Sequence, residues 1–336
     1  MAKEAIWVKG RVFNGMRPTG HLHLGNYLGS VVNMVTLQEN YECFFCIVDW
    51  HALTTGYEDT AELQDNILNI AIDWLSAGID PKKSVIFVQS SVKEGAELHL
   101  LLSMPTPLSW VERIPTYKEQ LRQLEGRNIA TYGFLGYPVL MAADILAYKA
   151  GVIPVGEDQL PHIEITREIV RRFNFLFKSE VFPEPVAKLT RFALLPGIDG
   201  RKMSKSYGNE IHMSDNPATI RTKVAQMVTD PQRIRKTDPG RPEVCVPYQF
   251  YRAFVPEQQE HVAEECRNAS IGCVACKQRL ADIIIDRMAP LYEKRQKLAQ
   301  RPDDVMDILH DGAGRARMVA KATLADVRRV MNLRDF

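Results

Sequence analysis

With 336 residues, 46% of them hydrophobic and 25% charged, the chain is too long and too ordinary in composition to be a small disulfide-stapled scaffold or a disordered tail, and it has room for two domains. Its 42 basic and 41 acidic residues leave a net charge of +1, which neither requires nor excludes a nucleic-acid partner, because a local basic face binds phosphate whatever the total. No run of 18 apolar residues occurs and Lys3 and Glu4 break any signal-peptide pattern, so a cytoplasmic protein with no membrane association is expected.

Arg11 to Asn14 reads as a first strand, followed by the tight loop Gly15-Met16-Arg17-Pro18-Thr19-Gly20. The glycine spacing approaches that of a P-loop, but His21 stands where the lysine belongs, which rules out a Walker-type site. Leu24, Tyr27, Leu28, Val31 and Val35 then recur at helical spacing. The amino end of that helix carries His23-Leu24-Gly25-Asn26, where free N–H groups and the positive end of the dipole suit the phosphates of ATP. Gly25 permits close approach, and His23 and Asn26 offer donors to the phosphates. Tyr41 to Val48 reads as a buried strand on which Cys43 and Cys46, three apart, point to opposite faces and pack as small apolar groups. A helix from about Asp59 to Ala77 and a strand from Ser84 to Gln89 complete a strand-helix alternation that implies a parallel sheet with right-handed crossovers.

From about residue 105 to 133 the pattern loosens into an insertion holding the mixed-charge run Lys118 to Arg127. A helix from Leu135 to Tyr148, the short strand Val152 to Val155, and a helix opened by Gly156-Glu157-Asp158-Gln159 and running to about Arg172 follow. Asp144 lies on the otherwise apolar stretch Leu140 to Leu146, where a buried carboxylate without a partner is costly. The glycines of Pro196-Gly197-Ile198-Asp199-Gly200 introduce Lys202-Met203-Ser204-Lys205-Ser206, expected to be a mobile loop whose two ammonium groups close on a departing pyrophosphate. Neither a Gly-x-Ser-x-Gly elbow nor a His-Glu-x-x-His helix is present.

Ser214-Asp215-Asn216-Pro217 is a helix start, and the chain beyond it reads as helical. The expected division is an α/β domain over 1–206, a helical domain over 207–310, and a C-terminal helix over 311–336 able to fold back on the first. Cys245, Cys266, Cys273 and Cys276 are spaced C-x20-C-x6-C-x2-C, and four thiolates can enclose a metal. Only the last pair has zinc-ribbon spacing, which favours an iron–sulfur cluster over zinc, with unliganded core cysteines as the remaining alternative. Arg233-Ile234-Arg235-Lys236 and Arg328-Arg329 are candidate phosphate contacts or simply solvated faces.

The runs at 23–26 and 202–206, together with 15–20, Tyr137 to Leu146 and Pro154 to Gln159, resemble the tryptophanyl-tRNA synthetases, a class I aminoacyl-tRNA synthetase family, from about Arg11 to the C-terminus. The resemblance implies a Rossmann-type doubly wound catalytic domain, a smaller all-helical anticodon-recognition domain and a symmetric homodimer. It implies ATP-dependent joining of L-tryptophan to tRNA(Trp) through tryptophanyl-adenylate, with Mg2+ accompanying ATP and with His23, Asn26, Lys202 and Lys205 as catalytic groups. By the same similarity Asp144 accepts the indole N–H, with Phe13, Gly15, Val48, His51, Tyr137, Met141, Ile153, Val155 and Gln159 around it. ATP falls to Arg17, Pro18, Thr19, Gly25, Asn26, Gly156, Glu157, Asp158 and Lys202, Met203, Ser204, Lys205, Ser206. Some members carry a second lysine two residues beyond Lys118, where this chain has Gln120. The cysteine pattern resembles the subset with a 4Fe-4S cluster beside the anticodon-binding region. A tyrosyl synthetase is the enzymatic rival, disfavoured by the apolar Met141 to Leu146, and a synthetase-like regulatory binding protein is the rival of another class.

Overall fold

A computed structural model describes residues 10–114, 130–189 and 195–334. Five strands, β1 (Arg11–Met16), β2 (Glu42–Ile47), β3 (Ser84–Val88), β4 (Val152–Val155) and β5 (Val186–Leu189), form one parallel sheet in the order β3-β2-β1-β4-β5. Such an order reverses at the β1/β4 boundary, and the crevice beyond the carboxyl ends of those two strands is where a doubly wound fold receives ligands. The expected α/β class and strand positions hold. β5 is the strand that pattern reading passes over, because Val-Ala-Lys-Leu is short and lies at an exposed edge without alternation.

The sheet divides two apolar cores. Along β2, Cys43, Phe45 and Ile47 enter one core while Phe44, Cys46 and Val48 enter the other. The two cysteines therefore do face opposite ways, and burial pushes the Cys43 thiol up to about 12. On the second core the Tyr148 ring stacks on Phe44 at 4.7 Å and on Phe13 at 5.7 Å, which seats the carboxyl end of one helix against the sheet.

Helix α1 begins at the first signature, α-helical at Leu24–Asn26, opening into one π-turn at Tyr27–Val31 and closing again at Val32–Leu37. After β2 come α2 (Asp49–Gly56) and α3 (Leu63–Ala77), and after β3 come α4 (Glu94–Ser103) and α5 (Leu108–Glu112). The expected insertion thus contains helical structure at its start, while Lys118 to Arg127 and Gln120 lie outside the described residues. Helix α6 (Tyr132–Ala147) starts earlier than expected because Thr131 caps it, its Oγ1 accepting the Phe134 N–H at 3.2 Å. Helix α7 (Leu160–Leu176) connects β4 to β5.

Beyond the second signature the chain is helical, as expected: α8 (Pro217–Ala225), capped by Asn216, then α9 (Val246–Phe254), α10 (Gln259–Arg267), α11 (Cys273–Ala299) and α12 (Pro302–Val330). Helix α12 returns to the sheet, where Ala313, Ala316, Ala320, Leu324 and Val327 join the core that holds Val85 and Phe87. Its approach is so close that a Cβ on Gly312 would stand 1.8 Å from the Ile86 carbonyl oxygen, whereas one on Gly314 would meet nothing within 4 Å. Gly312→Ala is therefore expected to destabilise the protein by about 1–3 kcal/mol through forced displacement of the helix. Gly314→Ala is expected to stabilise it by about 0.5–1 kcal/mol through helix propensity. Urea unfolding midpoints of the two variants check the opposite signs.

Candidate active site

The first signature is assembled by its own cap. His23 is the N-cap of α1: its Nδ1 accepts the Asn26 N–H at 3.1 Å, and Asn26 Oδ1 accepts the His23 N–H at 3.2 Å. Because Nδ1 accepts, the ring proton sits on Nε2, which lies 3.7 Å from Glu210 Oε1. Burial holds the His23 pKa below its ordinary value, with Glu210 acting against it. The cap occupies only acceptor atoms of the two side chains, His23 Nδ1 and Asn26 Oδ1, so the His23 Nε2–H and the Asn26 Nδ2 amide keep their donors for an anion, while the Leu24 and Asn26 backbone N–H groups are already engaged by Ile211 O and His23 Nδ1. Gly25 is needed for the same packing, since a Cβ there would come within 2.9 Å of His23 Nδ1 and 3.6 Å of Met203 Sδ.

Two backbone hydrogen bonds bring the signatures together. Leu24 N donates to Ile211 O and Met213 N to Leu22 O, both at 2.8 Å, so the segment just after the second signature straps the first. The loop itself is buckled by Asn209, a residue the sequence reading does not single out. The Asn209 Nδ2 donates to Asp199 Oδ1 at 2.7 Å and to Lys202 O at 3.1 Å, and its Oδ1 accepts the Ser204 N–H at 2.9 Å. Glycine content predicts a pliable loop; the structure shows an internally braced flap, because one buried amide holds three points of it. Near its base, His212 Nε2 lies 3.1 Å from Glu210 Oε2, and hydrogen bonding to Asp215 and Glu210 holds the His212 pKa above the usual value against burial.

Between the signatures lies a cleft of 1160 Å³, lined among others by Arg17, Thr19, Asn26, Glu62, Asn69, Met203, Ser204 and Lys205. Of the residues expected at the nucleotide, Pro18 is buried, Gly156 lines the neighbouring cavity, and Lys202 and Glu157 are exposed and line neither. Lys205 alone of the two signature lysines faces the cleft, its Nζ 3.3 Å from Glu62 Oε2 with both side chains largely in water. The side chains of Asp158 and Ser206 lie outside the described residues.

A second, smaller cavity of 340 Å³ opens at the β1/β4 switch point. It is lined by all ten residues expected around an amino-acid side chain: Phe13, Gly15, Val48, His51, Tyr137, Met141, Asp144, Ile153, Val155 and Gln159. Asp144 is 6% exposed, so it does not face water. Its Oδ2 lies 2.9 Å from His51 Nε2, and since an ionised carboxylate only accepts, the ring nitrogen donates. Gln89, at the carboxyl end of β3, donates from Nε2 to Oδ1 at 2.9 Å and to Oδ2 at 2.7 Å, and its Oε1 accepts the Trp50 N–H at 3.0 Å. Sequence reading misses Gln89 and also His162, whose Nε2 lies 3.0 Å from Tyr137 Oη. Both act across elements far apart in the chain.

Arg17 lines both spaces. It donates to Thr55 Oγ1 at 2.5 Å, its Nε is buried without a hydrogen-bond partner, and among the described residues no carboxylate pairs with it. Burial lowers its pKa from the ordinary value, and an anion entering either space would offset that cost.

In the helical half, burial raises the Cys245 thiol to about 12 and the Cys276 thiol to about 11, and the charges of the other cysteines of the group of four raise each further. Arg233, expected as a phosphate contact, is turned inward: Nη1 lies 3.8 Å from Cys266 Sγ and 4.0 Å from Cys273 Sγ. Among the described residues no group of three or more His, Cys, Asp or Glu is placed to hold a metal ion, so the four sulfurs gather without forming the expected closed ligand set. Arg328 and Arg329, the other basic pair, bond Glu97 and Asp326 at 2.8 and 2.9 Å. Among the described residues no helix is long and apolar enough to cross a membrane.

Comparison with known proteins places these features in a family. Residues 8–289 match the model of the class I tRNA synthetases for tryptophan and tyrosine. The tryptophan–tRNA ligase of Thermotoga maritima is 51% identical over 326 residues, covering 96% of this chain and 99% of that one. That of Aquifex aeolicus is 43% identical over 394 aligned positions, covering 96% and 100%. The crystal structure of the tryptophanyl-tRNA synthetase of Campylobacter jejuni complexed with ADP and tryptophan superposes with a TM-score of 0.87 at 35% identity, covering 96% of this chain and 100% of that one. With two signatures strapped together over a switch-point crevice and full-length similarity of this degree, the chain belongs to the class I aminoacyl-tRNA synthetases and, within them, to the tryptophan–tRNA ligases.

Proposed function

We propose that the indole of tryptophan enters the 340 Å³ cavity, that ATP lies in the cleft beyond Arg17, and that the two react where these spaces meet. The chain, a tryptophan–tRNA ligase, joins L-tryptophan to tRNA(Trp) at the expense of ATP. The amino-acid carboxylate attacks the α-phosphorus, the bond to the departing pyrophosphate breaks, and tryptophanyl-adenylate forms. A hydroxyl of the terminal ribose of the tRNA then attacks the carbonyl carbon and AMP leaves.

The observation that carries this reading is a buried carboxylate in a mainly apolar cavity, joined through a half-buried arginine whose Nε has no hydrogen-bond partner to a cleft between the signatures. Indole is a large apolar body with one donor, and Asp144 supplies the one acceptor such a body needs. Arg17 is positioned to meet the anionic carboxylate and α-phosphate, whose charges must be held together for attack. The side-chain donors of His23 and Asn26 at the start of α1 meet phosphate, and Lys205 offsets charge growing on pyrophosphate. Mg2+ accompanies ATP as its counter-ion. Amino-acid-dependent pyrophosphate exchange across the twenty amino acids tests the reading: exchange driven by tryptophan and abolished by chelation supports it, and silence across the panel would favour a binding protein.

The helical segment 207–310 we assign to anticodon recognition and 1–206 to catalysis. Replacing the exposed Arg235 and Lys236 by glutamate is expected to weaken tRNA charging while leaving exchange intact. The four cysteines, with the cationic Arg233 beside two of them, have the soft-donor chemistry of a 4Fe-4S site, in which Cys245, Cys266, Cys273 and Cys276 would be the thiolate ligands. Such a cluster supplies structural bracing and a one-electron couple. The sequence spacing, with only the last pair at C-x2-C, favours a cluster over a single zinc ion. Iron and acid-labile sulfide in anaerobically prepared protein support it, and colourless, iron-free protein would refute it. A homodimer is supported by the apolar face of Leu100, Met104, Leu108 and Tyr132, between 51 and 72% exposed. Sedimentation equilibrium at one chain mass would overturn it.

A further inference from the structure

We infer that Arg295 and Asp73 form a positioning pair through which the helical half of the chain sets the loop that receives ATP. The inference rests on the reading of the larger cleft as the ATP site. Asp73 on α3 is fully buried and the Arg295 side chain on α11 is 9% exposed. The Arg295 Nε donates to Asp73 Oδ1 at 2.7 Å, and Nη2 donates to Asn69 Oδ1 at 2.7 Å. Asp73 Oδ2 in turn receives the Leu22 N–H at 3.4 Å. Leu22 and Asn69 both line the cleft.

The chain of contacts therefore runs from α11, through α3, to the residue immediately before His23. Leu22 is held on its other side as well, its carbonyl accepting from Met213 N at 2.8 Å. With both polar groups of Leu22 engaged, the register of the capping box at 23–26, and with it the direction of the His23 and Asn26 side chains that line the cleft, follows Asp73. A merely adhesive contact between α3 and α11 needs no charge there, because well-packed apolar residues hold helices together at least as well as a buried ion pair. Burial works against the ionised form of Asp73, with Arg295 opposing it. What the pair adds is direction: two fixed bonds from a planar guanidinium and one aimed carboxylate oxygen. Neither side chain touches substrate.

The double variant Arg295→Met with Asp73→Leu removes the pair while filling its space. Wild-type pyrophosphate exchange is measured first, because its absence disproves the ATP reading and not this one. The double variant is expected to melt at or above the wild-type temperature, with KM for ATP raised about tenfold or more and KM for tryptophan within about twofold. Arg295→Lys, which keeps the charge but loses the fork, should fall between the two. An unchanged ATP KM in the folded double variant, or an equal rise in both KM values, overturns the inference. If the double variant does not fold, Asp73→Asn, which keeps an acceptor for Leu22 but weakens the pair, decides it: a rise confined to ATP supports the positioning role and no rise refutes it.

Discussion

Asp144→Ala is expected to lower kcat/KM for tryptophan by about 10–100-fold, because a charge-assisted hydrogen bond to a buried donor contributes roughly 1.5–3 kcal/mol. The larger effect is on discrimination. A site built to hydrogen-bond a substrate N–H rejects an analogue lacking it by up to roughly 10⁴, and Asp144, which keeps His51 and Gln89 as partners, sets a penalty on the lower side of that range. Phenylalanine brings no N–H, so with wild-type protein it leaves Asp144 to His51 and Gln89 alone. Removing the carboxylate removes that penalty, and the tryptophan-to-phenylalanine ratio should fall by about 10² or more. Gln89→Ala is the companion test: the acid stays but loses its aim, so KM for tryptophan should rise by roughly tenfold with less change in discrimination. Aminoacylation kinetics with both amino acids measure both, and an unchanged ratio in Asp144→Ala would mean that the indole lies elsewhere.

Lys205→Ala is expected to depress the rate of adenylate formation by about 10²–10³, the loss typical of one electrostatic group acting on developing charge. Tryptophan binding, measured by equilibrium titration, should change by less than about twofold. Equal losses in rate and in ATP affinity would mean that the flap grips the ground state too. The contact between Lys205 and Glu62 does not alter this expectation. Both side chains are mostly in water, so the pair is worth little, and Glu62→Ala should leave exchange within about twofold. Lys202→Ala should be the milder of the two lysine variants, because Lys202 does not line the cleft.

What the sequence revealed and what it hid divide along a physical line. The ten residues lining the smaller cavity were reached through the family resemblance, and Asp144 also through its own position, a lone acid on an otherwise apolar helix. Gln89, Glu210 and Arg295 were not, because each acts on a partner in another element and a single sequence displays no pairing between distant positions, and Asn209 was not because its bonds within the loop follow from the loop's three-dimensional path. The same limit hides what the folded chain adds: His23 and Asn26 stand out at the helix end, yet only the three-dimensional cap shows that they bond each other. Arg233 reads as a surface cation until the fold turns it onto two sulfurs. The edge strand β5 was lost for want of alternation, whereas the opposed faces of Cys43 and Cys46 followed from strand geometry alone.

The strap from Ile211 to Met213 makes the two halves of the larger cleft mechanically continuous. A lever planted beside its own target cannot swing without tugging on it, so motion of the lysine-bearing flap and the pitch of the helix end below must change in concert.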